Sequence, residues 1–272
     1  MAGHKTHIPI PEISKYVEVI HYNKDYHPEH VMDKYLPDGT MNIVFELTGS
    51  PKYIFDNATK EVKQECSDVW FSGVLKDYIT ISSHSEEMMV VVFKPGAGYP
   101  LLHTPAFLFT DKVVPAQEVF GEAVLKLHKK LKLLDGPEQK FDEIEKWLKN
   151  RLKKDDLYTD IIQFALEQIE NSPTEMSIGE ITAKTGYSPK QFIQIFKKYV
   201  GITPKQFHRI KRFNEILTAV ENDEKISWTI IAADCGYYDQ AHFIKDFQSF
   251  SGLNPSRYLS DIGEFPNYFP VK

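Results

Sequence analysis

The sequence predicts an α+β chain of two domains: an N-terminal β-barrel or sandwich followed by two helices, and an all-helical C-terminal domain. Three observations lead to this prediction. Strand-like runs fill residues 1–115, a helical period of apolar residues covers residues 115–154, and a helix-turn-helix unit then occurs twice. A length of 272 residues also suits two domains of ordinary size. We therefore place the domains at residues 1–154 and 155–272.

The first 115 residues alternate short β-branched and aromatic runs with turn signals, which is typical of antiparallel strands in a small barrel or sandwich. The runs are YVEVIHY, MNIVFEL, KYIFD, YITIS and MMVVVFK. Pro37, Asp38 and Gly39 form a turn signal, because proline presets one turn position and glycine supplies a positive φ. Seven large side chains leave two interpretations open, an apolar pocket or a filled core: Tyr35, Phe45, Phe55, Trp70, Phe71, Tyr78 and Phe93.

The β region lacks the patterns that catalysis or a bound cofactor would need. A cupin-type metal site requires His and Glu clustered on adjacent strands. The histidines are instead scattered along the sequence: His21, His27, His30, His84 and His103. The chain also contains no phosphate-loop, nucleophile-elbow or dinucleotide motif. We therefore predict no catalytic residue, no metal, no cofactor and no enzyme activity.

Residues 115–154 change to a helical period. Apolar residues from Phe120 to Leu134 step by 4, 3, 4 and 3, which makes a heptad seam. The seam stops at an Asp-Gly-Pro break at residues 135–137, and a second amphipathic helix follows. Two uses of these helices stay open, packing on the β domain and pairing with a second copy of the chain. The polar run at residues 153–156 then marks the domain boundary.

The C-terminal domain contains an internal repeat, in which residues 177–207 match residues 227–258. The offset is 50 as far as the turn glycine and 51 after it, so the second copy has one residue inserted in its turn. Self-similarity of this length indicates a repeated supersecondary unit. Each copy predicts a helix, a glycine turn and a second helix, with Ser188 and Asp239 as the N-caps of the second helices.

Basic residues concentrate in the first copy and just after it. From Lys184 to Arg212 the sequence has eight basic residues and no Asp or Glu, although the whole chain has a formal net charge of −6. A merely solvated helix face would mix both signs. A long window of one sign instead favours nucleic-acid binding. The eight residues are Lys184, Lys190, Lys197, Lys198, Lys205, Arg209, Lys211 and Arg212.

The second helix of each unit has an outward face of Gln, Lys and His, which suits base edges and phosphates in a major groove. The predicted DNA-binding residues on these faces are Lys190, Gln191, Ile193, Gln194, Gln240, His242 and Lys245. For phosphate contacts we predict Lys197, Lys198 and Lys205. The second unit is poorer in positive charge and has three nearby acidic residues: Asp234, Asp239 and Asp246. We therefore expect the first unit to dominate phosphate binding.

Three motifs carry a resemblance to a known family. They are A-x-x-G-Y at the end of each first helix, F-x-x-x-F-K-x-x-x-G-x-T-P at residues 192–204, and G-Y-x-D-Q-x-x-F-x-x-x-F at residues 236–247. With them, residues 155–260 resemble the DNA-binding domain of the AraC/XylS family of bacterial transcriptional regulators. The resemblance implies a linker helix at about residues 204–221. It also implies two recognition helices that enter successive major-groove segments about 34 Å apart.

The same resemblance bears on single residues and on the N-terminal domain. Ile193 stands at a base-facing place, where it would meet a thymine methyl group, with partial burial as the alternative. Family members often have Arg where this sequence has Gln194, and Gln prefers adenine. The runs YLPDGTMNIVFELTG and VVVFKPGAGYPLL resemble a sensor-like domain that precedes the module in some members. By this analogy the β domain is cupin-like, and the helices after it often pair subunits.

Together these features predict a sequence-specific transcription factor that binds double-stranded DNA and works with RNA polymerase. A small effector held by the N-terminal domain and a second copy of the chain are further expected partners. The alternative is a cupin-type enzyme or a protein-interaction module fused to the DNA-binding domain. No apolar run suits a secretory signal or a membrane span, and Cys66 and Cys235 suit reduced thiols, so we expect a cytoplasmic protein. For the aromatic C-terminal tail we expect surface packing or disorder.

Overall fold

The computed structural model describes residues 3–152, 159–171, 177–222, 228–261 and 267–271. The predicted polar boundary at residues 153–156 lies outside these described residues. In the N-terminal domain the strands are β1 (Gly3–His7), β2 (Val17–Tyr26), β3 (Met32–Tyr35), β4 (Met41–Glu46), β5 (Lys52–Phe55), β6 (Val62–Cys66), β7 (Val69–Ser72), β8 (Ile79–Ser82), β9 (Ser85–Phe93) and β10 (Val113–Pro115). Its helices are α1 (Gly98–Leu102), α2 (Ala116–Phe120), α3 (Glu122–Leu133) and α4 (Pro137–Arg151), with a 3-10 turn at Ala106–Phe109.

The described part of the C-terminal domain is helical except for one short strand at its end. Its elements are α5 (Thr159–Asn171), α6 (Ile178–Thr185), α7 (Pro189–Val200), α8 (Pro204–Asn222), α9 (Trp228–Asp234), α10 (Gln240–Ser251), α11 (Pro255–Asp261) and a last strand, β11 (Tyr268–Pro270). The predicted α+β class, with a β-rich N-terminal domain and an all-helical domain of two helix-turn-helix units, is confirmed. No helix in the described ranges is long and apolar enough to cross a membrane.

Two antiparallel sheets build the N-terminal domain. The larger has the order β1-β2-β9-β4-β7-β10, and the smaller has the order β11-β3-β8-β5-β6. In the larger sheet Ile43 lies opposite both Phe71 and Val91, so these three residues share one face. All three are fully buried, and the ring of Phe71 lies 5.6 Å from that of Phe120 in α2. This face of the sheet therefore packs against the helices.

The opposite face of the larger sheet turns toward the smaller sheet. Val44 lies opposite Val90 and Trp70, and all three side chains are only half-buried. On the same face, the Asn42 Nδ2 group donates to the Tyr35 hydroxyl oxygen of the smaller sheet at 3.3 Å. This face of the larger sheet thus carries apolar side chains that are not completely covered.

The seven large side chains that could fill a core or line a pocket fall into two groups, according to the strand face on which they lie. The fully buried ones are Phe45, Phe71 and Phe93. The half-buried ones are Tyr35, Phe55, Trp70 and Tyr78. Because side chains alternate along a strand, neighbours in sequence took opposite roles. The first group fills a core, and the second is partly open to solvent.

The predicted heptad seam is used inside the domain. Val124 and Leu131 of α3 are fully buried, and they belong to one apolar cluster with Phe141 and Ile144 of α4. The buried ammonium group of Lys140 also holds the end of α3, where it donates to the carbonyl oxygen of Leu131 at 2.8 Å. In this structure the seam therefore packs on its own domain and is not available for a second copy.

The aromatic tail differs from the expectation of surface packing or disorder. Strand β11 pairs antiparallel with β3, with Tyr268 opposite Tyr35 and Pro270 opposite Asp33. Phe269 between them is 3% exposed. The physical reason is that β3 is an edge strand of its own sheet, and its unpaired backbone groups accept one more strand. The C-terminal end of the chain thus belongs to the N-terminal sheet.

Candidate nucleic-acid interface

Helix α7 is the second helix of the first unit, and its two ends are well defined. Ser188 accepts from the backbone N–H of Gln191, as predicted for an N-cap, and Pro189 takes the first helical position. The helix buries an aromatic stripe of Phe192, Phe196 and Tyr199. On the other side Lys190, Ile193 and Gln194 are exposed, and the exposed fraction of Ile193 is 37%. The expectation of outward-facing side chains holds for these three residues.

Gln191 has a structural partner that the sequence analysis did not consider. Its Oε1 atom accepts from the Ser188 hydroxyl group at 2.7 Å and from the Ser188 backbone N–H at 3.2 Å. The two residues form a capping box at the start of α7. Gln191 is exposed, but its carbonyl oxygen is already used, so its predicted DNA role competes with a capping role.

The lysines predicted for phosphate contacts differ in their surroundings. Lys205 is exposed in the first turn of α8. Lys197 and Lys198 are half-buried at the end of α7, where the N-terminal domain covers them. The Lys197 ammonium group lies 5.3 Å from the centre of the Phe107 ring, and that of Lys198 lies 3.5 Å from the centre of the Tyr99 ring. Such cation–π contacts favour this position of both side chains.

Three basic residues of the predicted window point into the C-terminal domain. Arg209 and Asp246 form an ion pair, with Arg209 Nη2 2.7 Å from Asp246 Oδ1, and this hydrogen bond raises the pKa of Arg209. The Arg212 Nε group donates to the carbonyl oxygen of Cys235 at 2.8 Å. Lys211 pairs with Glu170 at 3.0 Å. The basic surface available to DNA is therefore smaller than the window predicts, because linker residues are also needed for packing.

The second unit exposes the three predicted side chains of α10, which are Gln240, His242 and Lys245. Asp239 caps the helix, and its carboxylate accepts from the backbone N–H of His242 at 2.7 Å. The His242 Nε2 atom lies 3.9 Å from Asp246, whose carboxylate is buried and paired with Arg209. Asp246 therefore repels DNA less than its formal charge suggests.

Tyr238 is a candidate that the sequence analysis missed. It is 95% exposed and stands directly before Asp239, at the start of α10. A tyrosine hydroxyl can donate to a phosphate oxygen. The signal was present in the repeat, because Tyr238 occupies the turn in which the second copy has one extra residue.

Two further groups of polar residues lie outside the helix-turn-helix units. A cleft of about 1000 Å³ separates the N-terminal domain from α5 and α8, and its rim mixes both charge signs. At the exposed end of β2 and β9, Asp25, His27 and Glu86 bring potential metal-ligand atoms within 4.8 Å of one another. His30, by contrast, turns away to Asp33 at 2.8 Å. The cleft offers ammonium and carboxylate groups, and the strand-end cluster offers carboxylate and imidazole groups.

Two protein-family models match separate parts of the chain. Residues 166–261 match a helix-turn-helix domain model, and residues 5–115 match a domain of unknown function. The uncharacterised HTH-type transcriptional regulator YtdP of Bacillus subtilis is 22% identical over 226 residues, which are 75% of this chain and 26% of that protein. The probable transcriptional regulator LumQ of Photobacterium leiognathi is 29% identical over 84 residues, 31% of this chain and 34% of that protein. The chain thus spans about a quarter to a third of the curated relatives it matches.

The solved structures that align with this chain are distant in sequence. ToxT of Vibrio cholerae aligns with a TM-score of 0.45 and 11% identity, over 96% of this chain and 99% of that chain. An AraC-type regulator of Chromobacterium violaceum aligns with a TM-score of 0.35 and 21% identity, over 38% of this chain and 96% of that chain.

Proposed function

We propose that this chain, an AraC-type helix-turn-helix transcriptional regulator, binds specific sequences in double-stranded DNA with helices α7 and α10. One observation carries the proposal. Each is the second helix of a helix-turn-helix unit, each exposes polar side chains opposite its buried stripe, and the single helix α8 joins the two units. Such helices enter major grooves and read base edges. The relatives are named as regulators, and we propose no catalytic activity.

Within the first unit we assign the base contacts to the N-terminal half of α7. Gln194 offers an amide that pairs well with adenine, and Ile193 offers an apolar group for a thymine methyl. Lys190 on the same side provides a cation for a base edge or a phosphate. Lys205, Lys197 and Lys198 are the proposed phosphate contacts, although the last two must first leave the aromatic rings of the N-terminal domain. In the second unit we assign base contacts to Gln240, His242 and Lys245.

We further propose that the N-terminal domain binds a small apolar effector between its two sheets. Val44, Trp70 and Val90 lie on the face of the larger sheet that turns toward the smaller sheet, and all three are only half-buried. A well-packed core would cover them completely, as it covers Ile43 on the other face. An effector that binds only the folded state must raise the unfolding midpoint. If a compound that raises the unfolding midpoint also quenches the fluorescence of Trp70, the compound binds between the sheets.

RNA polymerase and a second copy of the chain are proposed partners, and the cytoplasm, where bacterial DNA lies, is the proposed location. Because the heptad seam is buried in its own domain, a dimer would need another face of the N-terminal domain.

The DNA proposal is tested by selecting bound sequences from a random double-stranded pool at two salt concentrations. The expected site has two short blocks about one helical turn apart, and its affinity falls with rising salt as counterions are released. A single block would restrict the proposal to one unit. The absence of any enriched sequence at both salt concentrations would contradict it.

A further inference from the structure

The C-terminal end of the chain joins the second helix-turn-helix unit to the N-terminal sheet. Beyond the β11–β3 ladder, the backbone N–H of Leu36 donates to the carbonyl oxygen of Asn267 at 2.8 Å. At the other end the N–H of Val271 donates to the carbonyl oxygen of Met32 at 2.9 Å. The segment at residues 267–271 is therefore bound to β3 along its whole length.

The same segment is connected to the core beneath the second recognition helix. Phe269 stacks on Tyr258 of α11, with ring centres 5.9 Å apart and an angle of 24° between the rings. Tyr258 is fully buried and packs edge-on against Phe247 of α10 at 5.5 Å. Three rings thus link the strand to α10, so the strand contacts both β3 and the core of the second unit.

Strand β3 also holds α10 with a side chain. Lys34 lies opposite Phe269 in the ladder and on the same side of it. Its ammonium group donates to the carbonyl oxygens of Ser251 and Gly252 at 3.0 and 3.4 Å, and it lies 4.3 Å from the centre of the Tyr78 ring. The carbonyl groups at a helix C-terminus lack partners within the helix, so a buried cation stabilises them. The N-terminal sheet therefore contacts α10 in two ways, directly through Lys34 and indirectly through β11 and Tyr258. We call these two contacts the grip on α10.

While this grip is closed, the N-terminal domain also covers the C-terminal half of α7. Helix α1 touches the backbone there, since a Cβ atom added at Gly98 would collide with the Tyr199 carbonyl oxygen. The Thr110 hydroxyl group donates to the carbonyl oxygen of Gly201 at 2.6 Å. In this arrangement the ammonium groups of Lys197 and Lys198 face rings of the N-terminal domain. DNA phosphates therefore compete with these rings for both ammonium groups.

We propose that residues 267–271 act as a latch that holds the N-terminal domain closed on the DNA-binding domain and thereby lowers the affinity for DNA. Release of the latch from β3 frees the second unit from the sheet and uncovers Lys197 and Lys198. The inference rests on the proposed DNA binding and adds its regulation. A protein whose binding-competent form is only a fraction of the population binds with an affinity reduced by that fraction.

Three changes open the latch in different ways. Phe269→Asp places a carboxylate in the buried site next to Tyr258, Lys34→Gln removes the cation that holds the end of α10, and ending the chain at Pro266 removes the strand. Each is expected to tighten binding to the selected DNA site, about tenfold if the latch keeps about nine molecules in ten closed. Lys24→Gln, at an exposed position of β2, is the matched control and is expected to bind as the wild type does.

Hydrogen exchange in the absence of DNA separates the possible outcomes. The Leu36 amide, which donates to Asn267, should exchange faster in the opened proteins, while far-UV circular dichroism shows that they remain folded. Faster exchange with tighter DNA binding supports the latch. Faster exchange with unchanged or weaker binding overturns it and leaves the proposed function intact. Failure of the wild type and all variants to bind any sequence would overturn the proposed function, and the latch with it.

Discussion

The two helix-turn-helix units are built alike but are held differently. In both, two phenylalanines four residues apart fill the core beneath the second helix, with ring centres 5.8 Å apart. The first unit meets the N-terminal domain at the end of α7, next to the side chains proposed to bind DNA. The second unit meets it at the base of α10 and leaves the outward face open. The similar cores thus give both units the same helix-turn-helix structure. Residues on the surface determine how each unit contacts the N-terminal domain.

The units also differ in where their positive charge comes from. The first unit has its own exposed lysines on α7 and α8. The second contains a buried carboxylate, Asp246, whose partner Arg209 comes from the linker helix. The linker therefore supplies the second unit with a cation that is not available to DNA. Four measurements test this difference between the two units.

The largest expected effect tests whether the two cores are equivalent. Phe196→Ala and Phe247→Ala each remove a fully buried ring and should each lower the free energy of unfolding by about 3–5 kcal/mol. Urea unfolding followed by far-UV circular dichroism measures both. Ile230→Ala, at a side chain that is 61% exposed, is the control and should cost less than about 0.5 kcal/mol. A large loss for one phenylalanine and none for the other would show that the cores are not equivalent.

The next effect concerns Arg209, the linker cation that pairs with Asp246 of the second unit. Arg209→Met leaves the Asp246 carboxylate buried without its partner and should cost about 2–3 kcal/mol, reduced from the value for a fully buried pair because Arg209 is partly exposed. Adding Asp246→Asn removes the unpaired charge and should recover most of the loss. If the double variant is no more stable than Arg209→Met in the same urea titration, the unpaired Asp246 charge does not cause the loss, and the ion pair does not stabilise the contact between the linker helix and α10.

The third measurement compares base reading by the two units. Gln194→Ala should cost about 1–3 kcal/mol at the matching base and relax specificity there, since a bidentate amide contact is lost. Gln240→Ala should act on the other block of the site. Competition binding with single-base variants measures both. Lys205→Ala is the phosphate control, which should weaken all sequences alike and reduce the salt slope by about 1. A loss at Gln194 that is equal for all sequences would contradict base reading.

The smallest expected effect is a pH dependence at the grip on α10. Burial lowers the pKa of Lys34 from 10.5 to about 8, and Lys60 and Arg257 add to this shift. Between these pH values the unfolded chain binds the proton and the folded chain does not, so stability rises with pH in this window. The free energy of unfolding of the wild type, minus that of Lys34→Met, should increase from pH 8 to pH 10. An equal difference at both pH values would mean that Lys34 keeps its ordinary pKa.

Much of the helical domain was predictable because its signals are local. The N-caps Ser188 and Asp239, the turn glycines and the linker from residue 204 appear where the sequence predicts them. The β domain was less predictable. Strands β6 and β10 are short or polar and were not predicted, since their stability comes from the strands beside them.

For the DNA-binding residues the sequence determined which side chains face outward. Periodicity separates buried from exposed positions on a single helix, and it does so correctly for Lys190, Gln194 and Lys245. It carries no information about a neighbouring domain. The half-burial of Lys197 and Lys198 depends on aromatic rings that are 90 and 99 residues away in sequence.

The two-domain plan and the doubled unit can be read from local signals, because spacing, caps and glycine turns act within a few residues. Three other features come from tertiary contacts: which face of the large sheet is packed, which basic residues remain for DNA, and where the last strand binds. Each of these depends on contacts between distant segments, whose partners no local pattern names. The pairing of β11 with β3 is the clearest case, since more than 200 residues separate Phe269 from Lys34.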